Sequence, residues 1–397
     1  VIWVEREGQK AIVIGKAPDS LEGIAMPELW LADALAAHGK PVFRVHTAGS
    51  VGGSTAIVAA QHVMAGIHGT VLTIGFEKQS DGNAMWALSV PIPFGMPVHA
   101  GAGGYFSPIV RGYIARSGAP SHIGAMVAVK DRTNACKNPY AHLHEPDWTL
   151  EKALETPMLW DPIRFIETCP SSDGAMALVL MSEERADKHA GPKAWVHATS
   201  MRSEPTAFAG REQVSPVAGE MCAADLWRKG GIKNPAEEID VVEMYVPFAW
   251  FEPMWLENLG FAPRNEGWRW VEDGITEMGG SLPVNPSGGV LSSNPIGASG
   301  MLRFGEAAMQ VMGLLVLLCL PAAFLLRGHG RQASVPGQAV VGTREAVRTA
   351  LRDPSYRLLA AGFFVCGFHV AFLATHLPGV IAACGLPVQF GAWSLAM

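Results

Sequence analysis

The sequence predicts an α/β domain with a largely parallel sheet, followed by an all-α membrane-spanning segment. Two observations predict this. Over the first 300 or so residues, short apolar strand runs alternate with helical runs, the pattern of strands buried on both faces. After residue 311 charge nearly vanishes from long apolar stretches. The chain of 397 residues is 49% apolar and 17% charged, and the second observation explains that excess. A net charge of −6 gives no hint of nucleic acid. The six cysteines form no CxxC pair, so neither a zinc site nor a disulfide framework is indicated, and a reducing compartment is expected.

Taken in order, residues 11–16 (AIVIGK) read as a buried strand. Residues 27–38 (PELWLADALAAH) read as a helix, with Pro27 in its first turn and Gly39 past its end. Residues 41–45 are a strand that runs into a loop and a helix starting near Ser50, whose first turns carry small residues, as a core helix needs. Residues 69–77 (GTVLTIGFE) are another buried strand. Residues 81–157 read as loop-rich; His99, Tyr105 and Tyr113 lie near the glycine cluster 101–104. His142 and His144 form an HxH pair, which here reads as a loop brace rather than a metal site. Residues 169–182 are a turn and a strand. A second α/β half follows, with strands at 194–201 and 239–244 and a helix at 223–229.

The most informative stretch is 282–301, LPVNPSGGVLSSNPIGASGM, which is rich in Gly, Pro, Ser and Asn and precedes a helix-favouring apolar run. It reads as a strand end, a tight glycine loop, a second turn and a helix beginning near Ile296, whose free N–H groups would point at a ligand. Read alone, a plain glycine-rich connector fits equally well.

NPSGG, then PIGASG and a helix, resembles the thiolase superfamily, nearest its sterol-carrier-protein type and the actinobacterial lipid-transfer branch. CPSSDGA at 169–175, VAVKDRTNACKNPYAHL at 127–143 and VEMYVPFAWFE at 242–252 carry the same resemblance, which covers about residues 11–310. It implies a duplicated βαβαβαββ fold, incomplete at both ends, with residues 50–66 and 296–312 as two central helices. It implies an N-terminal half at 1–185 with a loop domain at about 81–157 covering the pantetheine channel, and a truncated C-terminal half at 186–311. The chain is accordingly expected to be a fragment, lacking an opening strand and two final strands.

The resemblance also assigns positions. Ser50 falls where the nucleophilic Cys would be, Tyr245 matches a motif His, Phe251 a water-binding Asn, and Asn294 the catalytic His; Glu252 and Phe248 are retained. Cys169 is structural in that comparison. Substrate-binding positions fall at Gly53, His99, Gly288, Gly289 and Gly297. Ser50 has no lowered pKa and no evident base, so it reads as a helix N-cap. Ordinary thiolysis is therefore not expected. A Cys-less branch cleaves β-hydroxyacyl-CoA by retro-aldol chemistry with an OB-fold partner protein, and there Tyr245 would be the acid/base and Asn294 the enolate donor. No bound cofactor or metal is expected; a coenzyme A thioester is the substrate. A homodimer through the thiolase-like part is expected, as is a cytoplasmic location for that part. A non-catalytic acyl-CoA or lipid-binding module stays open as an alternative.

Residues 311–326, 358–386 and a stretch from 390 are apolar enough for spans, separated by 327–357 with six Arg against Glu345 and Asp353. The second stretch resembles the major facilitator transporters. Residues 312–397 are thus expected to be a membrane-associated transporter piece joined to the first part as a chimera; a third reading is a transporter fragment carrying an unrelated soluble piece.

Overall fold

The computed structural model describes residues 11–17, 21, 26–83, 101–189, 191–205 and 211–327, with backbone alone over 314–327. The chain divides into two compact units, Val1–Leu315 and Val316–Met397. The first is an α/β layer structure. Strands β1 (Ala11–Gly15), β2 (Val42–Val45) and β3 (Thr70–Lys78) are parallel, and β6 (Asp173–Met181) runs antiparallel along β3, giving the order β2-β1-β3-β6. A small hairpin joins β4 (Met158–Trp160) and β5 (Ile163–Arg164). All five β1 residues are buried, as an all-apolar strand inside a covered parallel sheet should be.

The helices are α1 (Pro27–Leu31), α2 (Val51–Met64), α3 (Gly101–Ser117), α4 (Ile123–Ala135), α5 (Leu150–Leu154), α6 (Glu183–Ala186), α7 (Val217–Gly230), α8 (Pro235–Glu238), α9 (Phe251–Asn258), α10 (Gly267–Glu272), α11 (Gly289–Ser292) and α12 (Ile296–Arg327). Helices α2 and α12 cross at the centre of the first unit. A Cβ on Gly52 would stand 2.8 Å from the backbone nitrogens of Gly300 and Met301, and one on Gly300 would stand 2.4 Å from that of Gly53. Only glycine permits this approach. The start of α12 presses equally on β3: a Cβ on Gly297 would lie 2.2 Å from the Phe76 carbonyl. The two central helices expected from the sequence are therefore these two.

Four expectations need correction. The helix expected at 27–38 is regular only over Pro27–Leu31; it then closes in a Schellman turn at Ala36, with φ of 50° and Ala37 N–H donating to the Ala32 carbonyl at 2.9 Å. The loop-rich reading of 81–157 fails at α3 and α4. Glycine starts α3 because Gly103 lies against the Trp160 ring, where a Cβ would come within 2.4 Å. The second-half strands at 194–201 and 239–244 are irregular. Among the described residues they pair only through a parallel bridge between Val242 and Val284, and the Met244 N–H goes instead to the Asn285 side chain at 2.8 Å. A duplicated sheet is thus not present among the described residues.

The transmembrane part also lacks support, and so does the transporter resemblance. Among the described residues no helix is long and apolar enough to cross a membrane. Residues 311–326 prolong the backbone of α12, which starts inside the first unit at Ile296. An apolar run that continues a helix and a membrane span look alike by hydropathy. The basic loop beyond Arg327 and the apolar stretches that follow lie outside the described residues.

Candidate functional site

Three segments far apart in sequence meet beside the start of α12. The stretch from Glu167 to Cys169 lies against 247–249: the Ala249 N–H donates to the Glu167 carbonyl at 2.8 Å and the Cys169 N–H to the Pro247 carbonyl at 3.1 Å. That pairing brings Cys169 beside Tyr245. From the third segment, the Asn294 amide nitrogen donates to Cys169 Sγ at 3.0 Å. Asn294 is held from every side. Its N–H donates to Ser172 Oγ at 2.9 Å, and Ser299 Oγ donates to its Oδ1 at 2.7 Å. His142 Nδ1 lies 2.8 Å from the same Ser172 hydroxyl, and the His142 N–H donates to Ser293 Oγ at 2.7 Å. The loop over 138–145 is thereby stitched across the Asn294 turn.

The electrostatics keep the thiol and the phenol protonated. Burial pushes the Cys169 thiol up to about 11, although the Asn294 amide and the Arg132 guanidinium both favour its thiolate. Burial, and then the neighbouring Cys169, push the Tyr245 hydroxyl well above its ordinary value. That hydroxyl has no hydrogen-bond partner among the described residues, so it is free to meet a ligand. The cluster offers a carboxamide, a phenol and a thiol together, all able to donate a hydrogen bond and none able to serve as a strong base at neutral pH.

The other expected positions lie elsewhere. Ser50 is exposed at the N-cap position of α2, but its side chain does not cap the helix; it donates to the Thr47 carbonyl at 2.7 Å and to Thr47 Oγ1 at 3.0 Å. Its partner is a hydroxyl, not a base, and no hydrogen bond joins it to Tyr245 or Asn294. With Gly53, Ser54, Arg202 and Cys222 it lines an open groove of about 310 Å³. Glu252 is fully buried and bound to Lys130 Nζ at 2.7 and 2.8 Å, an internal ion pair rather than a group facing a ligand. Phe251 stacks on Trp255 at 5.0 Å and meets Phe106 edge-on at 5.1 Å, so nothing at its position can hold a water.

The glycines have packing reasons. Gly288 (φ 90°) and Gly289 (φ 60°) need positive φ, and a Cβ would meet Ala135 at 2.5 Å in the first case and Asp131 Oδ2 at 2.8 Å in the second. Gly297 abuts β3, as noted. His99 lies outside the described residues. Among the described residues no His, Cys, Asp and Glu cluster could hold a metal; His144 Nε2 donates to the Asn138 carbonyl at 2.8 Å, a loop brace. Sequence reasoning missed Cys169 as the Asn294 partner, and it missed Ser172 and Arg132. The CPSSDGA string was the signal for the first two, since it set Cys169 and Ser172 three residues apart in a turn.

Comparison with known proteins agrees with this layout. The profile described as "Thiolase C-terminal domain-like" matches residues 203–317. The chain is 30% identical to the benzoylsuccinyl-CoA thiolase subunit BbsB of Thauera aromatica over 278 residues, covering 68% of this chain and 71% of that one. It is 27% identical to the sterol carrier protein 2 of Bos taurus over 323 residues, and spans 56% of that relative's length. Among solved structures, a chain of the "Ltp2-ChsH2(DUF35) aldolase" superposes with a TM-score of 0.62 at 26% identity, covering 75% of this chain and 78% of that one. A matched family profile, a relative of this extent and a shared fold lead to one conclusion: the chain belongs to the thiolase superfamily.

Proposed function

We propose that this chain binds an acyl-CoA thioester and cleaves a β-hydroxyacyl-CoA by retro-aldol chemistry, instead of thiolysing it. The observation that carries the proposal is the separation of the two halves of thiolase chemistry. The nucleophile position holds Ser50, bonded to Thr47 and without a base, whereas Tyr245, Asn294 and Cys169 remain gathered at the start of α12. Carbon–carbon cleavage of a β-hydroxyacyl thioester needs no nucleophile. The β-hydroxyl loses its proton, the Cα–Cβ bond breaks, a ketone or aldehyde leaves, and the thioester enolate takes a proton at Cα. Asn294 donates to the enolate oxygen. Tyr245 balances the protons through its ionised form: the phenolate takes the proton of the β-hydroxyl and, as the phenol, returns it to Cα, so it ends as it began. Burial holds the resting phenol protonated, so turnover should rise with pH. The solved aldolase, named for two components, Ltp2 and ChsH2, supports a second protein as partner. The relative named sterol carrier protein 2 supports a sterol-like or other lipid-like acyl chain. The test is direct. Tyr245→Phe should lower retro-aldol turnover by about 10²-fold or more, and Ser50→Ala should leave it unchanged. A covalent acyl group found on Ser50 by mass spectrometry would overturn the reading.

A second reading is a non-catalytic acyl-CoA binding module. The Phe251 ring in place of a water-binding amide favours it. Tyr245→Phe with unchanged ligand affinity and no wild-type turnover would select it.

A further inference from the structure

Helix α4 carries three consecutive buried charges, Lys130, Asp131 and Arg132, each less than a tenth exposed. Lys130 is satisfied: both Glu252 oxygens and the Val284 carbonyl accept from it, at 2.7 to 3.0 Å. Asp131 lies 3.4 Å from Lys130 and 3.4 Å from the Asn285 amide. Arg132, which is 4% exposed, points elsewhere on the helix and is not satisfied. Its Nε and Nη1 are buried without a hydrogen-bond partner among the described residues. Among the described residues the carboxylate that pairs with it, Glu145, is 3.5 Å from Nη1, is 44% exposed, and already accepts from Trp148 Nε1 at 2.9 Å through the same oxygen.

The last turn of α4 is fastened to the loop that carries Asn294. Ser292 Oγ donates to the Asp131 carbonyl at 3.3 Å, and the Asn134 amide donates to the Asn285 carbonyl at 3.2 Å. From that position the guanidinium favours the thiolate of Cys169, the Asn294 partner, though less than the Asn294 amide does. A buried guanidinium cannot shed its charge, and its unpartnered N–H groups are costly unless something anionic arrives.

We propose that Arg132 is the fixed positive charge of the Asn294–Cys169–Tyr245 site and receives the negative charge that develops on the thioester oxygen. The assignment rests on the acyl-CoA reading above. It gives the neutral donors Asn294 and Tyr245 what they lack, a full charge in a low-dielectric surround, where such charges act most strongly on a developing anion. It also explains why this chain buries an arginine within reach of Glu145 yet leaves two of its nitrogens unpartnered.

The experiment is calorimetric titration of the full chain with two probes. One is butyryl-CoA, a neutral thioester. The other is a carboxymethyl-dethia-CoA, in which a methylene replaces the thioester sulfur and a planar carboxylate stands for the enolate. Wild type should bind the carboxylate probe more tightly. Arg132→Met should weaken that probe by about 10- to 100-fold, the worth of a charged hydrogen bond, and keep butyryl-CoA within twofold. Arg132→Lys should fall between the two. Equal losses for both probes would make Arg132 a packing residue, and no loss for either would remove it from the site; both outcomes overturn the proposal. Should Arg132→Met fail to fold, Arg132→Lys decides: it must weaken the carboxylate probe more than butyryl-CoA. Wild type that binds neither probe refutes the acyl-CoA reading itself, and this assignment falls with it.

Discussion

At the scale of single residues, Asn294 is the side chain on which most of the site converges. Ser299 fixes its Oδ1, Ser172 fixes its backbone, and its amide nitrogen is left to face Cys169. A donor so held loses little freedom when an enolate oxygen replaces the thiol, so removing it should cost about 3 kcal/mol in the barrier. Steady-state retro-aldol rates of Asn294→Ala would measure this; a loss below threefold would assign the amide to structure. Glu167 gives a second residue-scale prediction. Burial lifts its carboxyl from the ordinary 4.5 to about 7, its Oε1 has no partner, and its Oε2 accepts from the Arg164 N–H and Trp250 Nε1 at 2.9 and 3.2 Å. The folded state therefore holds a proton that the unfolded chain releases at lower pH. Wild-type stability should fall as pH rises from about 4.5 to 7 through this group, and the loss should be complete above 7. Glu167→Gln keeps the acceptor and removes the charge. At pH 8 it should be more stable than wild type by up to about 3 kcal/mol, and the gain should vanish below pH 4.5. Urea melts at the two pH values measure the difference.

At the scale of elements, the crossing of α2 and α12 sets where Asn294 stands, because the Asn294 loop leads straight into α12. The contact is backbone against backbone at Gly52, Gly53 and Gly300. Gly52→Ala should push the helices apart and cost about 1–3 kcal/mol. The same substitution should reduce acyl-CoA affinity through the displaced loop. Unfolding in urea with an unchanged midpoint would show that the helices have room to spare. This element was legible in the sequence: small residues at the start of α2 and the PIGASG run before α12 announced two helices that approach closely. Helix α4 was not. Its buried face carries Lys130, Asp131 and Arg132, and a run of charges reads locally as a solvated or loop segment. Its burial depends on Glu252, Val284 and Asn285, which lie more than a hundred residues further on.

At the scale of the whole molecule, every residue of the site lies before Leu315, inside the first compact unit. A chain ending at Leu315 should therefore bind acyl-CoA within about threefold of the full chain. A complete loss of binding, with the helical circular dichroism preserved, would make the remaining residues part of the site. The apolar tail shows the limit of hydropathy as evidence. It predicts burial, and burial in lipid and burial in protein look alike to a sliding window. The resemblance to a transporter rested on that pattern and gained no support, whereas the thiolase resemblance rested on ordered motifs and did.

The sequence by itself determined the α/β class, the strands β1, β2, β3 and β6 with their apolar runs, the two glycine-lined central helices, and the absence of a thiol at position 50. Each is a local property, carried by periodicity, by turn residues or by one residue's identity. Only the tertiary structure decided which groups meet. It took Cys169 from a structural turn to the partner of Asn294, sent Glu252 into an ion pair with Lys130, and left Ser50 in a different groove. It also buried Arg132 with nitrogens to spare. Those outcomes depend on interactions across 37 to 125 residues of chain, and on desolvation, which no residue carries in its own identity.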